Sequence, residues 1–137
     1  MPKVFTSKTQ KLGELGESIA ERFILSKGFK ILERNHTRRY GEIDIIAKKG
    51  NKIHFFEVKS VSYETKNNYS SLLGNVTHET FIRPEENMHP KKLEGLYRTI
   101  AVYMSYKGQR DWQLDLLCVY IDKDNKTAKV KLLENII

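Results

Sequence analysis

Residues 40–60, YGEIDIIAKKGNKIHFFEVKS, set Glu42, Asp44, Glu57 and Lys59 inside two otherwise apolar runs. Strand interiors favour β-branched and aromatic residues and disfavour Asp, Glu and Lys, so these four call for an explanation. If Gly50 and Asn51 form a two-residue turn, the flanking runs fold into a hairpin. Its register pairs Ala47 with His54, Ile46 with Phe55, Ile45 with Phe56, Asp44 with Glu57, Ile43 with Val58, and Glu42 with Lys59. Alternation then puts Ile43, Ile45, Phe56 and Val58 on one face and the four charged residues on the other. Directly opposed like charges destabilise a sheet, so Asp44 and Glu57 need a compensating cation. A hard divalent ion serves, because Mg²⁺ is held by one or two carboxylates together with water and phosphate oxygens. Lys59 then lies near the same phosphate or the attacking water. The other reading is a solvated hairpin end in which Lys59 pairs with Glu42 and both acids face water.

The elements that position this hairpin are legible from periodicity. Leu12, Gly16, Ile19, Ala20, Phe23 and Ile24 form one face of a helix over 9–27, which Gly28 ends. FKILERNH reads as a strand and RRYG as the turn into the hairpin. Residues 61–89 form a long polar loop, of a length that is usually functional or disordered, with SSLLGNV as a short helix inside it. Pro90 opens a second helix with Leu93, Leu96, Tyr97, Ile100, Ala101 and Met104 on its apolar face, and Gly108 closes it. WQLDLLCVYI is a strand buried on both faces, DKDN a turn, and KTAKVKLL a last strand. The order describes one α/β domain over 1–137 with a mixed sheet flanked by helices.

The chain has 137 residues and a net charge of +7, a balance that attracts a polyanion, although the charges are scattered enough to suit a basic solvated surface as well. Its single cysteine, Cys118, sits in an apolar run and reads as packing in a reducing compartment. His36, His54, His78 and His89 have no zinc-ligand spacing, and no phosphate-loop, dinucleotide or serine-hydrolase motif occurs. No segment approaches the roughly 18 apolar residues of a membrane span, so the expected location is cytoplasmic, with no membrane association.

LGELGESIAERFILSKGF, ERN, YGEIDIIA, FFEVKS and HPKKL together resemble the YraN-like family of uncharacterised predicted endonucleases. That family lies within the restriction-endonuclease-like and tRNA-endonuclease-like group, which includes archaeal Holliday junction resolvases. The resemblance implies a restriction-endonuclease-like αβββαβ core and a Mg²⁺ or Mn²⁺ site at Asp44, Glu57 and the Val58 carbonyl, with Lys59 catalytic. It also implies that Glu17 completes the site and that Lys92 contacts phosphate; Lys91 and Arg39 are further candidates for nucleic-acid binding. Early-helix acids also occur simply to suit the helix dipole, which is the structural reading of Glu17. Val61, Thr37 and Gln113 stand where the family usually has Arg, so the resemblance carries over to the metal residues and not to those substrate contacts.

The expected function is a divalent-metal-dependent endonuclease acting on structured or branched DNA, with DNA before RNA as partner. A non-catalytic nucleic-acid-binding or scaffold protein that keeps the fold is the alternative, and a basic adaptor for a protein partner a third. The long loop is a candidate flap over substrate, with Tyr63, Asn67, Asn68 and Tyr69 as its contacts, or the contact of a homodimer.

Overall fold

The computed structural model describes residues 8–64, 89–108 and 111–136. Seven elements follow in the order α1 (Lys8–Ser26), β1 (Lys30–Arg38), β2 (Gly41–Lys49), β3 (Lys52–Tyr63), α2 (Pro90–Ser105), β4 (Trp112–Asp122) and β5 (Thr127–Leu133). This is the expected αβββαβ order with one further strand. The five strands form a single mixed sheet in sequential order, antiparallel except for the β3–β4 pair. A parallel pair needs a crossover connection, and α2 lies in it.

Each helix covers one face of the sheet. The apolar stripe of α1 supplies Ala20 and Ile24, which pack with Ile45, Ala47, Phe56, Leu117 and Val119. Gly28, at φ +91, turns the chain out of α1 in a conformation that side-chain-bearing residues rarely adopt. On the opposite face Leu96, Ile100 and Tyr103 of α2 pack with Ile43, Ile46, Ile53, Phe55 and Leu114. β4 is buried along nearly its whole length, as a strand with a helix on each side should be, and Cys118 is part of that core. Asp122 closes the following turn by accepting from the backbone N–H groups of Asp124 and Asn125.

Three expectations are corrected. Ile43 lies with Ile46 on the α2 side instead of sharing a face with Ile45 and Phe56. The regular β2–β3 ladder ends at the Ile45–Phe56 pair, so simple alternation ends there too. On α2, Tyr97 and Ala101 are exposed, whereas Thr99 and Tyr103 are buried. Thr99 tolerates burial because its hydroxyl donates to the Gly95 carbonyl at 2.8 Å, and Tyr97 instead meets the edge of Trp112. Finally, residues 61–63 belong to β3, which pairs with β4 as far as Tyr63–Asp122. The short helix expected at SSLLGNV, and Asn67, Asn68 and Tyr69, lie outside the described residues.

The β1–β2 turn rests against α2 at Gly95, where an added Cβ would collide with the Tyr40 carbonyl oxygen. Helix propensity alone favours Ala over Gly by about 1 kcal/mol, but overpacking against backbone costs about 1–3 kcal/mol. Gly95→Ala should therefore lower stability in urea unfolding, while Gly13→Ala, with open space around the new Cβ, should raise it. A stabilised Gly95→Ala protein would contradict the close approach.

Candidate functional site

The expected hairpin register is present: Ile45, Ile46 and Ala47 lie opposite Phe56, Phe55 and His54, and Lys49 lies opposite Lys52. It stops one residue short of Asp44. Continuing it would give the Val58 N–H to the Ile43 carbonyl. The Asp44 carboxylate takes that N–H instead, with Oδ2 2.8 Å from Val58 N. A side chain thus replaces a main-chain acceptor, and β2 separates from β3 beyond this point. In an extended strand the N–H and C=O of one residue point to the same side, so the Val58 carbonyl faces the same gap.

Glu57 and Lys59 alternate with Phe55 on the α2 side of β3. Glu57 is buried, and its Oε1 accepts from Lys92 Nζ at 3.0 Å across from the first turn of α2. Its Oε2 is also buried, and with Asp44 ionised it has no hydrogen-bond donor among the described residues; a protonated Asp44 carboxyl bonds to Glu57. Burial first, and then the Glu57 charge beside it, push the Asp44 carboxyl up to about 8, although the Val58 N–H opposes the shift. The Glu17 charge adds to the rise. Lys59 is held below the usual lysine range by burial and by the neighbouring Lys92 ammonium. Burial also pulls Lys92 down, but the Glu57 carboxylate and the hydrogen bonds around it leave Lys92 above that range.

Asp44, Glu57, Lys59 and Lys92 are therefore brought together. The remaining sequence candidates stand further out. Glu17 lies on α1, 3.5 Å from Arg34 Nη2, and it reaches Asp44 through its charge. Lys91 is exposed, and its backbone N–H donates to His89 Nδ1, the cap of α2. Arg39 lies over the Tyr40 ring, which Arg98 of α2 approaches at 5.3 Å. Glu42 lies opposite Thr37 of β1 and not opposite Lys59.

Arg34 is the residue that sequence reasoning passed over. It bridges Glu17 and Glu21, with the shorter contact 2.8 Å to Glu21, and its Nε is buried without an acceptor among the described residues. The only signal was its place in the ERN motif.

Among the described residues no group of three or more His, Cys, Asp or Glu side chains is arranged to hold a metal ion. The donors at the gap are two carboxylates and one carbonyl. That small, all-oxygen set fits Mg²⁺ or Mn²⁺, which keep several coordination positions for water and phosphate oxygens. When Asp44 is ionised, Glu57 Oε2 is left without a donor among the described residues, and it is the atom such an ion would satisfy.

A model of the uncharacterised protein family UPF0102 matches residues 16–119. A UPF0102 protein of Campylobacter lari is 43% identical over 125 residues, covering 90% of this chain and 91% of its own length. One from Moorella thermoacetica is 30% identical over 131 residues, covering 94% and 97%. Among solved structures, Pyrococcus furiosus SfsA in complex with Ca²⁺ overlaps with a TM-score of 0.38 at 14% identity, over 96% of this chain and 66% of that one. An overlap that loose supports no argument about this site.

The raised Asp44 carboxyl has a consequence for stability. An Asp in the unfolded chain loses its proton near the ordinary value of 3.8, whereas the folded protein keeps it up to about 8. The folded state binds the extra proton in that window, so this contribution is complete below about pH 4 and is lost as pH rises towards 8. In EDTA, the melting temperature of the wild type should fall relative to that of Asp44→Asn between those pH values. Parallel profiles would show that Asp44 and Glu57 do not burden one another.

Proposed function

We propose, for a chain that belongs to the uncharacterised protein family UPF0102, that the gap between β2 and β3 is the metal site of a phosphodiester hydrolase acting on structured DNA. UPF0102 is the YraN-like family that GEIDIIA and FFEVK resemble, and its name assigns no activity. One observation carries the reading: burial and then the Glu57 charge hold the Asp44 carboxyl protonated, and once that proton leaves, the buried Glu57 Oε2 has no donor among the described residues. Two carboxylates so placed, one buried and one half-buried, are costly alone and are suited to a shared cation.

Asp44, Glu57 and the Val58 carbonyl would hold Mg²⁺ or Mn²⁺. Such an ion, when bound, neutralises charge developing on the scissile phosphate and generates a nucleophile from water at neutral pH. The chain's own groups do the positioning. The Val58 N–H fixes the orientation of Asp44. Lys92 pairs with Glu57, and its ammonium would be free for a phosphate oxygen if that carboxylate held a metal. Lys59, on the same face, orients the attacking water or stabilises the phosphate. Arg98 and Arg39, gathered on Tyr40, add positive charge where the β1–β2 turn meets α2 and suit the flanking backbone of a nucleic acid.

The Lys92–Glu57 ion pair also supports the second reading, a non-catalytic nucleic-acid binder, because it supplies the compensating charge without any metal.

A panel of branched, nicked and single-stranded DNA, with RNA alongside, separates the two. Cleavage should require Mg²⁺ or Mn²⁺, stop with EDTA, and fall about 10²–10³-fold in Lys59→Ala, the loss typical of one transition-state contact. DNA binding by that variant should weaken only modestly, as for one phosphate contact among several. Salt-sensitive binding of DNA with no cleavage of any substrate would give the non-catalytic reading the lead.

A further inference from the structure

A second cavity, of about 390 Å³, opens on the face of the sheet that α1 covers, and it shares no residue with the gap. Its apolar walls are Phe23, Phe29 and Leu132, and three ammonium groups line it, from Lys27 after α1, Lys49 at the end of β2 and Lys52 at the start of β3. Glu134 is the one acid in the lining. Lys27 Nζ stands 5.3 Å over the Phe23 ring and Lys49 Nζ stands 5.1 Å over the Phe29 ring, so aromatic faces hold both cations at the wall. Lys49 and Lys52 are directly opposed in the ladder. Like charges in that relation destabilise a hairpin, and an anion between them would relieve it.

The polar part of the cavity is built from buried groups. His54 is 6% exposed, and its ring is held edge-on to Phe29 and stacked on Phe56. Its Nδ1 is 2.7 Å from Oδ2 of Asp115, a fully buried residue. A carboxylate only accepts, so Nδ1 carries the proton and Nε2 is what the ring offers a ligand. Asp115 is fixed in turn, because its Oδ1 accepts from Gln113 Nε2 at 2.7 Å and from Asn135 N at 2.9 Å. Gln113 Nε2 also donates to Glu134 Oε1 at 3.2 Å, which turns the one acid of the lining towards Gln113.

From this arrangement we infer that the cavity is a binding site for a phosphomonoester bearing an aromatic or apolar group, either a free nucleotide or the phosphorylated end of a strand. The lysines take the phosphate. Phe23, Phe29 and Leu132 take the apolar part. The ring nitrogen that the Asp115 contact leaves over, Nε2, can accept a hydrogen bond from the P–OH of a phosphomonoester. The volume lies at the low end of the range for small-molecule sites, so it admits a terminal group and not a continuous duplex. Because Phe56 and His54 face α1 whereas Glu57 and Lys59 face α2, this site stands whether or not the gap is catalytic.

Titration in EDTA tests it, with the His54 ring resonances, assigned by their loss in His54→Gln, as readout. Adenosine 5′-monophosphate or a 5′-phosphorylated oligonucleotide should shift them saturably, while adenosine and the 5′-hydroxyl oligonucleotide should not. Saturation by the nucleotide assigns a free ligand, and saturation by the oligonucleotide alone assigns a strand end. Affinity should fall at least about ten-fold in Lys49→Glu and in Lys52→Glu, each of which turns an attractive contact with the phosphate into a repulsive one, and should hold in Asp44→Asn. Lys27→Glu, on another element, repeats the test if the hairpin variants fail to fold. Equal shifts with adenosine, undiminished binding in the lysine variants, or no saturation by either phosphomonoester would overturn the inference.

Discussion

The hydrogen bond from the Val58 N–H to the Asp44 carboxylate shapes everything around it. A hairpin with the register seen at Ile45–Phe56 would ordinarily continue through main-chain pairs. Here a side chain enters the ladder, β2 leaves β3, and the opening is lined by an acid from each strand. Divergence also sends Ile43 to the α2 side, where it packs with Leu96 and Ile100. The same interaction thus anchors the second helix and opens the gap that the helix overlooks. Close approach of Gly95 to the Tyr40 carbonyl then sets the start of α2, and with it Lys92, beside Glu57.

That geometry carries an electrostatic burden. Glu57 is buried whereas Lys92 is 38% exposed, so removing the lysine leaves a buried carboxylate uncompensated while solvent screening lessens the cost, and Lys92 contributes to the fold as well as to any phosphate contact. Asp44 solves its half of the problem differently, by holding a proton. A site in which one carboxylate borrows a lysine and the other a proton is poised to exchange both for a single divalent cation. Under the proposed reading, that exchange would release Lys92 next to Lys59 and concentrate positive charge where a phosphate would lie. The proposed function and the stability of the fold would then be coupled through the same four side chains.

Much of this was legible in the sequence, for identifiable reasons. Gly50-Asn51 fixed the hairpin register because a two-residue turn leaves little freedom, and the helical stripe from Leu12 to Ile24 specified the face of α1. The family was legible too, since GEIDIIA and FFEVK are specific strings. Errors arose where a local rule met a tertiary interaction. Alternation misplaced Ile43 because it assumes an unbroken ladder. Apolar periodicity chose Tyr97 and Ala101 over Thr99 and Tyr103, because it cannot see a hydroxyl satisfied by the preceding turn or an aromatic edge at Trp112. Periodicity and charge could not separate Lys91 from Lys92; the resemblance singled out Lys92, and α2 presents that residue to Glu57. The His54–Asp115 pair joins residues 61 positions apart and had no local signature. Such failures are expected to gather at sites whose chemistry overrides the regular rules.

The central claim is that the Asp44–Glu57 gap is built for a divalent cation. Anomalous diffraction at the manganese edge, from crystals grown with Mn²⁺, tests it most directly. The account predicts one peak within about 2.0–2.3 Å, a normal distance for a hard cation, of both an Asp44 and a Glu57 carboxylate oxygen, with Lys92 Nζ withdrawn from Glu57. Density showing the Lys92–Glu57 pair intact and no peak in the gap at saturating Mn²⁺ would contradict it.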